Sequence, residues 1–372
     1  MVRYDLLATT GVQGLQPYQP GKSEEELRRE LGLDTIIKLA SNENPRGPDP
    51  RITAQLPELF ADLSRYPDGT GFELKQNLAS HLLVKPEQIT LGNGSNDVLE
   101  LVARAFLQPG RKALMSRHAF AIYQLATQSA GAECIAVAAT DGVNGPLYGH
   151  NLQVMLETVN ANTAVVFIAN PNNPTGTHVS SLALQDFIEH LPENVICVID
   201  EAYFEYVEVS DYATALDWIG AYPNLVVTRT FSKAYGLAGL RIGYAVSSPE
   251  VAELLNRVRQ PFNVNTLAMA AARFCLADDR WLADSRESNK QGLRQMTEGL
   301  EALGIAYLPS VGNFICCNLG RPVQPVYQAL LKRGVIVRPV ENYQLPGFIR
   351  VTVGTESEID CFLNALELSL KT

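Results

Sequence analysis

The segment TFSKAYGLAGLRIG, residues 230–243, places Lys233 directly behind an apolar run and Arg241 eight positions further on. Most lysines are solvated surface charges, and a Ser-Lys pair alone carries little information. Here the glycines permit a tight loop, and Thr230 and Ser232 supply hydroxyls beside a guanidinium. Hydroxyls with an arginine are the donor set that a phosphate dianion takes. A lysine partly desolvated beside such cations has its pKa lowered and becomes a usable amine nucleophile.

Three further segments end strand-like runs, where open α/β sheets bind ligands. VIDEAY ends in Asp200, with Tyr203 three residues on. A lone strand-end acid usually caps a turn. Facing a heterocyclic nitrogen, the same carboxylate favours the protonated ring and makes it an electron sink, and Tyr203 could bond the ring's phenolic oxygen. ANPNNPTG (169–176) reads first as a turn, yet two Asn-Pro steps after a buried strand also make a rigid mount for an amide. Asn173 is then a second donor to that oxygen, and either isomer of the Asn173–Pro174 bond is compatible with the sequence. LGNGSND (91–97) opens a helix after a strand, so the backbone around Gly94, Ser95 and Asn96 suits a phosphate. The rival is a dinucleotide fingerprint; Gly92 and Gly94 match it, but Asp97 stands where the third glycine belongs and the unit lies far from the first strand.

The elements needed to hold these segments are legible. FELKQNLASHLL and SNDVLELVARAFL read as helices; QITL, KALMS, AVVFIA, VICVID, LVVTRT and RIGYAV read as strands. Continuous apolar strands imply a mainly parallel sheet covered by helices, hence an α/β fold. The expected organisation is an N-terminal arm and small-domain segment over 1–40, a large domain over 41–275, and a smaller α+β domain over 276–372. Ser23 is placed to cap SEEELRREL, with Glu26 at the capping-box position. The segment 41–50 reads as a loop, and 266–304 as one long helical region crossing the boundary between the two domains.

Composition limits the partners. A chain of 372 residues with 46% hydrophobic residues can bury more than one core, and a net charge of −10 lacks the basic face of a nucleic-acid or anionic-membrane binder. A small anionic substrate remains compatible, because a few arginines suffice for a local pocket. The six cysteines show no CxxC spacing and no clustering with histidine, so free thiols are expected rather than a disulfide or a metal site. With no apolar leader and no apolar run approaching ~18 residues, a soluble cytoplasmic protein is expected.

Together the segments resemble the fold-type I pyridoxal-phosphate aminotransferases. PYQPGK, KLASNENP, RYPDG, GVIVRPV and FIRVTVGT narrow the resemblance to the histidinol-phosphate aminotransferase group. It implies pyridoxal 5′-phosphate carried covalently on Lys233, Asp200 at the pyridine nitrogen, and Tyr203 and Asn173 at the ring hydroxyl. Gly94, Ser95, Asn96, Thr230, Ser232 and Arg241 would hold the phosphate, and Phe120 would stack on the ring. Tyr66 would reach the neighbouring protomer's cofactor in a homodimer. Arg350 would bind the substrate's anionic group, with Tyr18 of the arm and Arg338 or Lys22 as further donors. The implied substrates are L-histidinol phosphate and 2-oxoglutarate. Arg46 and Asp49, more charged than in relatives, read as surface variation. An aromatic-amino-acid aminotransferase, a decarboxylase of a phosphorylated amino acid and a non-catalytic regulatory scaffold are the competing readings; an intact Lys233 and the lack of a DNA-binding segment weigh against the last.

Overall fold

In the computed structural model, which describes residues 2–61 and 63–371, the apolar runs pair with one another. After the short β1 (Ile37–Lys38) come β2 (Ile89–Gly92), β3 (Lys112–Ser116), β4 (Glu133–Val137), β5 (Thr163–Ala169), β6 (Ile196–Asp200), β7 (Leu225–Thr230) and β8 (Gly243–Ser247). These seven form one sheet in the order β2-β8-β7-β6-β5-β3-β4, with β8 antiparallel to both its neighbours and the other pairings parallel. β5 to β8 are buried at every position. Alternate residues feed opposite faces. Val166, Ile168, Cys197, Ile199 and Val227 pack with the helices Phe72–Leu82 and Thr266–Ala277. Val165, Phe167, Val198 and Val226 pack with Ser95–Phe106, Ala121–Ser129 and Pro249–Val258. The mainly parallel α/β sheet is therefore present.

Beyond it, β9 (Ala306–Leu308), β10 (Phe314–Asn318), β12 (Arg338–Pro339) and β13 (Phe348–Thr352) make an antiparallel sheet in the order β12-β13-β10-β9, while β11 (Val335–Ile336) pairs with β1. Leu39 of the N-terminal segment, Met296 and Leu300 share the core of this unit, and Leu27 packs on Leu331 and Ile336. Ser23 does cap its helix, accepting from the Glu26 N–H at 3.1 Å. The Glu26 side chain turns instead toward Lys22, at 3.5 Å.

Two expectations are corrected. The helical stretch 266–304 is two helices, Thr266–Ala277 and Arg280–Ala302, broken where the Asp278 carboxylate accepts the Arg280 N–H. Asp49 is not surface variation: it is buried, caps the helix Pro50–Phe60, which begins at the last residue of the expected loop, and pairs with Arg51, which also reaches Asp278 at 2.6 Å. Arg46 lies over the Trp281 ring, its guanidinium carbon 4.4 Å from the centroid.

Candidate active site

β2, β5, β6 and β7 end at one edge of the large sheet, and antiparallel β8 begins there. The loops leaving that edge bring the singled-out segments together. Ser95, Asn96, Phe120, Asn173, Asp200, Tyr203, Thr230, Ser232, Lys233 and Arg241 line one cavity of ≈ 240 Å³, joined by Tyr18 of the arm and by Arg338 and Arg350 of the smaller sheet. Gly94 stands behind the wall at φ +79°, where an added Cβ would meet Arg241 Nη2 at 2.4 Å. Tyr66 does not enter the cavity; it is 82% exposed and stacked on Phe262 at 4.7 Å.

One end of the cavity is an anion cradle. The helix Ser95–Phe106 starts there without a side-chain cap, leaving its first N–H groups and its dipole to face the opening. Arg241 Nη1 donates to Ser232 Oγ at 3.4 Å, and Thr230 Oγ1 accepts the Ser232 N–H at 3.1 Å. Gly243 permits the close approach: its Cβ would lie 2.4 Å from the Ser95 nitrogen. Uncapped N–H groups, two hydroxyls and a guanidinium fit a phosphate.

The middle holds the reactive groups. Lys233 Nζ donates to the Ser41 carbonyl at 2.9 Å. Burial, with Arg350 and Arg241 adding repulsion, brings its pKa down to about 7. Asp200, at the end of β6 and 5% exposed, accepts from Tyr123 Oη at 2.7 Å and Thr228 Oγ1 at 3.0 Å. Burial raises its pKa against those two bonds, and among the described residues no basic side chain pairs with it. Such a carboxylate is complementary to a protonated ring nitrogen. Tyr203 Oη accepts from Asn42 Nδ2 at 2.8 Å, and burial pushes its pKa up to about 12, so the phenol keeps its proton.

At the far side β12 and β13 set two arginines opposite one another in register. Arg350, 6% exposed, donates to Asn173 Oδ1 and to the Ala40 carbonyl, both at 2.6 Å, and its Nε is buried without an acceptor. Arg338, 9% exposed, donates to the Gln19 carbonyl and lies 5.9 Å from the Tyr18 ring centroid. Among the described residues neither faces a carboxylate. Lys22 does not belong to this set. It is held by Glu30 at 2.5 Å and Glu26 at 3.5 Å and lies outside the cavity.

Asn42, Tyr123 and Thr228 were not singled out by the sequence. Thr228 is two residues before Thr230 on β7, so strand alternation turns both to one side. Tyr123 lies one helical turn beyond Phe120. For Asn42 the only signal is its place in SNENP.

A strand-end lysine poised near neutrality, an acid prepared for a cationic ring and a separate phosphate cradle define a fold-type I pyridoxal-phosphate-dependent transaminase. The chain belongs to the aminotransferase class I and II family, whose model matches residues 34–366. It is 56% identical over 362 residues to histidinol-phosphate aminotransferase 2 of Pseudomonas fluorescens, covering 97% of this chain and 96% of the relative. The counterpart from Methylococcus capsulatus is 56% identical over 361 residues, with 97% of each chain covered. Among solved structures, histidinol-phosphate aminotransferase from Sinorhizobium meliloti in complex with pyridoxal 5′-phosphate superposes with a TM-score of 0.88 at 27% identity, covering 98% of this chain and 97% of that one.

The lysine gives a pH-dependent signature. Between its folded pKa of about 7 and the ordinary 10.5, the unfolded chain binds a proton that the folded apoprotein does not. Stability therefore rises with pH across that window, and the cost of burying Lys233 is largest below it. Lys233→Met should raise the melting temperature of the apoprotein at pH 7, with the gain shrinking toward pH 10.5. A variant no more stable than wild type at pH 7 contradicts this account of the site.

Proposed function

We propose that this enzyme transfers the amino group of L-histidinol phosphate to 2-oxoglutarate, giving imidazole acetol phosphate and L-glutamate, as a cytoplasmic homodimer. The observation that carries the substrate reading is the pair Arg350 and Arg338, adjacent, buried and without carboxylate partners at the cavity's far side. Histidinol phosphate has no α-carboxylate; what it shares with a 2-oxo acid is an anionic group within reach of the reacting carbon. Arg350 presents a planar fork to either anion, and Arg338 with Tyr18 adds the donors that a phosphate dianion requires.

Pyridoxal 5′-phosphate, when bound, supplies an aldehyde carbon that condenses with amines and a protonated ring that accepts an electron pair. The chain's own residues do the rest. Ser95, Asn96, Thr230, Ser232 and Arg241 hold the cofactor phosphate, with Gly94 allowing the approach. Phe120 covers the ring face. Asp200 keeps the proton on the pyridine nitrogen, and Tyr203 and Asn173 donate to the ring oxygen. Lys233 would anchor the cofactor and, as the free amine, would take the proton from the substrate Cα. A pKa of about 7 suits both tasks, since the neutral amine is the nucleophile and the base.

The dimer reading is supported by Tyr66, which does not line its own cavity and is largely exposed, stacked on the exposed Phe262 and close in sequence to the exposed Phe60 and Leu63. In a homodimer Tyr66 would serve the cofactor phosphate of the other protomer. Among the described residues no helix is long and apolar enough to cross a membrane, in keeping with a cytoplasmic enzyme.

Steady-state kinetics on histidinol phosphate, phenylalanine and aspartate test the substrate. The highest kcat/KM should belong to histidinol phosphate, and Arg350→Ala should lower kcat/KM in both half-reactions, by ~3 kcal/mol for loss of a buried charge-assisted pair. A higher kcat/KM for phenylalanine or aspartate overturns the substrate while leaving the cofactor chemistry intact. For the dimer, Tyr66→Phe and Lys233→Ala protomers are mixed. If Tyr66 acts across the interface, each hybrid regains one intact site; hybrids showing only the activity expected within subunits refute it.

A further inference from the structure

Asn42 is 1% exposed and adopts φ +54°, a left-handed conformation that asparagine tolerates better than most residues. Its backbone is clamped from the smaller unit. The Asn42 N–H donates to Thr352 Oγ1 at 2.9 Å, and its carbonyl accepts from Asn313 Nδ2 at 3.0 Å. The Thr352 hydroxyl, having accepted that bond, donates to Asn42 Oδ1 at 3.3 Å. In this arrangement the two ends of the amide have different partners. With Oδ1 facing Thr352, Nδ2 faces Tyr203 Oη at 2.8 Å and donates to it. Tyr203 cannot also give its hydrogen to Nδ2, because an amide nitrogen offers no acceptor. The phenolic hydrogen is therefore left for the other side of the oxygen, and Tyr203 lines the cavity.

We infer that Asn42 is a positioning residue: by donating to Tyr203 Oη it turns the phenolic hydrogen of Tyr203 into the cavity, toward the oxygen of the cofactor ring. The inference rests on the proposed role of Tyr203 and extends it to Asn42, which lines the same cavity and acts here through Tyr203. It also links two ends of the site. Thr352 lies two residues beyond Arg350 on β13, so strand alternation puts both on one face. Arg350 grips the Ala40 carbonyl while Thr352 grips Asn42. The strand that carries the anion-binding arginine thereby also sets the donor at the ring.

The test reads the pH midpoint of the visible absorbance of protein reconstituted with pyridoxal 5′-phosphate, in wild type, Tyr203→Phe, Asn42→Ala and the double variant. A hydrogen bond donated to the ring oxygen stabilises its deprotonated form, so losing the bond moves the midpoint to higher pH. Asn42→Ala should move it in the same direction as Tyr203→Phe, by roughly 0.4 to 1 pH unit, the equivalent of one ordinary hydrogen bond. In the double variant Asn42→Ala should add nothing. An unmoved midpoint in Asn42→Ala, or two shifts that sum in the double variant, overturns the inference. If Asn42→Ala does not fold, Thr352→Val carries the same comparison, because it removes the hydroxyl that orients the amide. A wild type that shows no visible band with the cofactor sinks the proposed function itself, whereas a normal wild-type band that Tyr203→Phe does not move sinks only the role of Tyr203 and this extension of it.

Discussion

The Asp200 carboxylate is the constraint around which the site is organised. It is buried at the end of a central strand, held by the hydroxyls of Tyr123 and Thr228, and paired with no basic side chain among the described residues. Burying an ionised acid this way is costly unless something cationic completes it. In the proposed function a protonated ring nitrogen beside it would be the remedy, and that protonation is what makes a pyridine ring useful for removing a proton from carbon. The neighbouring cations follow the same logic: among the described residues Arg241, Arg338 and Arg350 line the cavity with no carboxylate partner, as the proposed binding of two anionic groups requires.

The large sheet alone does not complete this arrangement. The segment Ala40–Asn44 runs between the two packed units and is gripped from both. Lys233 donates to the Ser41 carbonyl, and Asn44 Nδ2 reaches the Ala234 carbonyl and Ser285 Oγ. From the smaller sheet, Arg350 and Thr352 hold Ala40 and Asn42. Lys233, Tyr203 and Arg350 are thus all hydrogen-bonded to one short stretch of chain.

How much of this was legible in the sequence follows from the range of the forces involved. Strands β5 to β8 announce themselves because burial on both faces demands continuous apolar runs, and the cavity's segments announce themselves because turn residues cluster at those strand ends. β4 is mostly partly exposed along its length and carries a weaker apolar signal, and it was not foreseen. The break at Asp278 was invisible because no proline or glycine marks it; the residue acts through Arg280 and the distant Arg51. Asp49 looked like a surface charge because its burial depends on Arg51 reaching the distant Asp278, although Pro50 behind it is a helix-start signal. Asn42 is the clearest case: its meaning lies in Tyr203, 161 residues away, and in Thr352, 310 residues away. Local pattern finds the reactive groups, and long-range contacts decide what orients them.

The central claim is that Lys233 is the amine on which the cofactor is carried. Borohydride reduction of the protein reconstituted with pyridoxal 5′-phosphate, followed by peptide mapping, addresses it directly. The account predicts a stable pyridoxyl adduct on Lys233 in the segment TFSKAYGLAGLR, and none in Lys233→Ala. An adduct on a different lysine, or a reducible linkage that survives in Lys233→Ala, would contradict it.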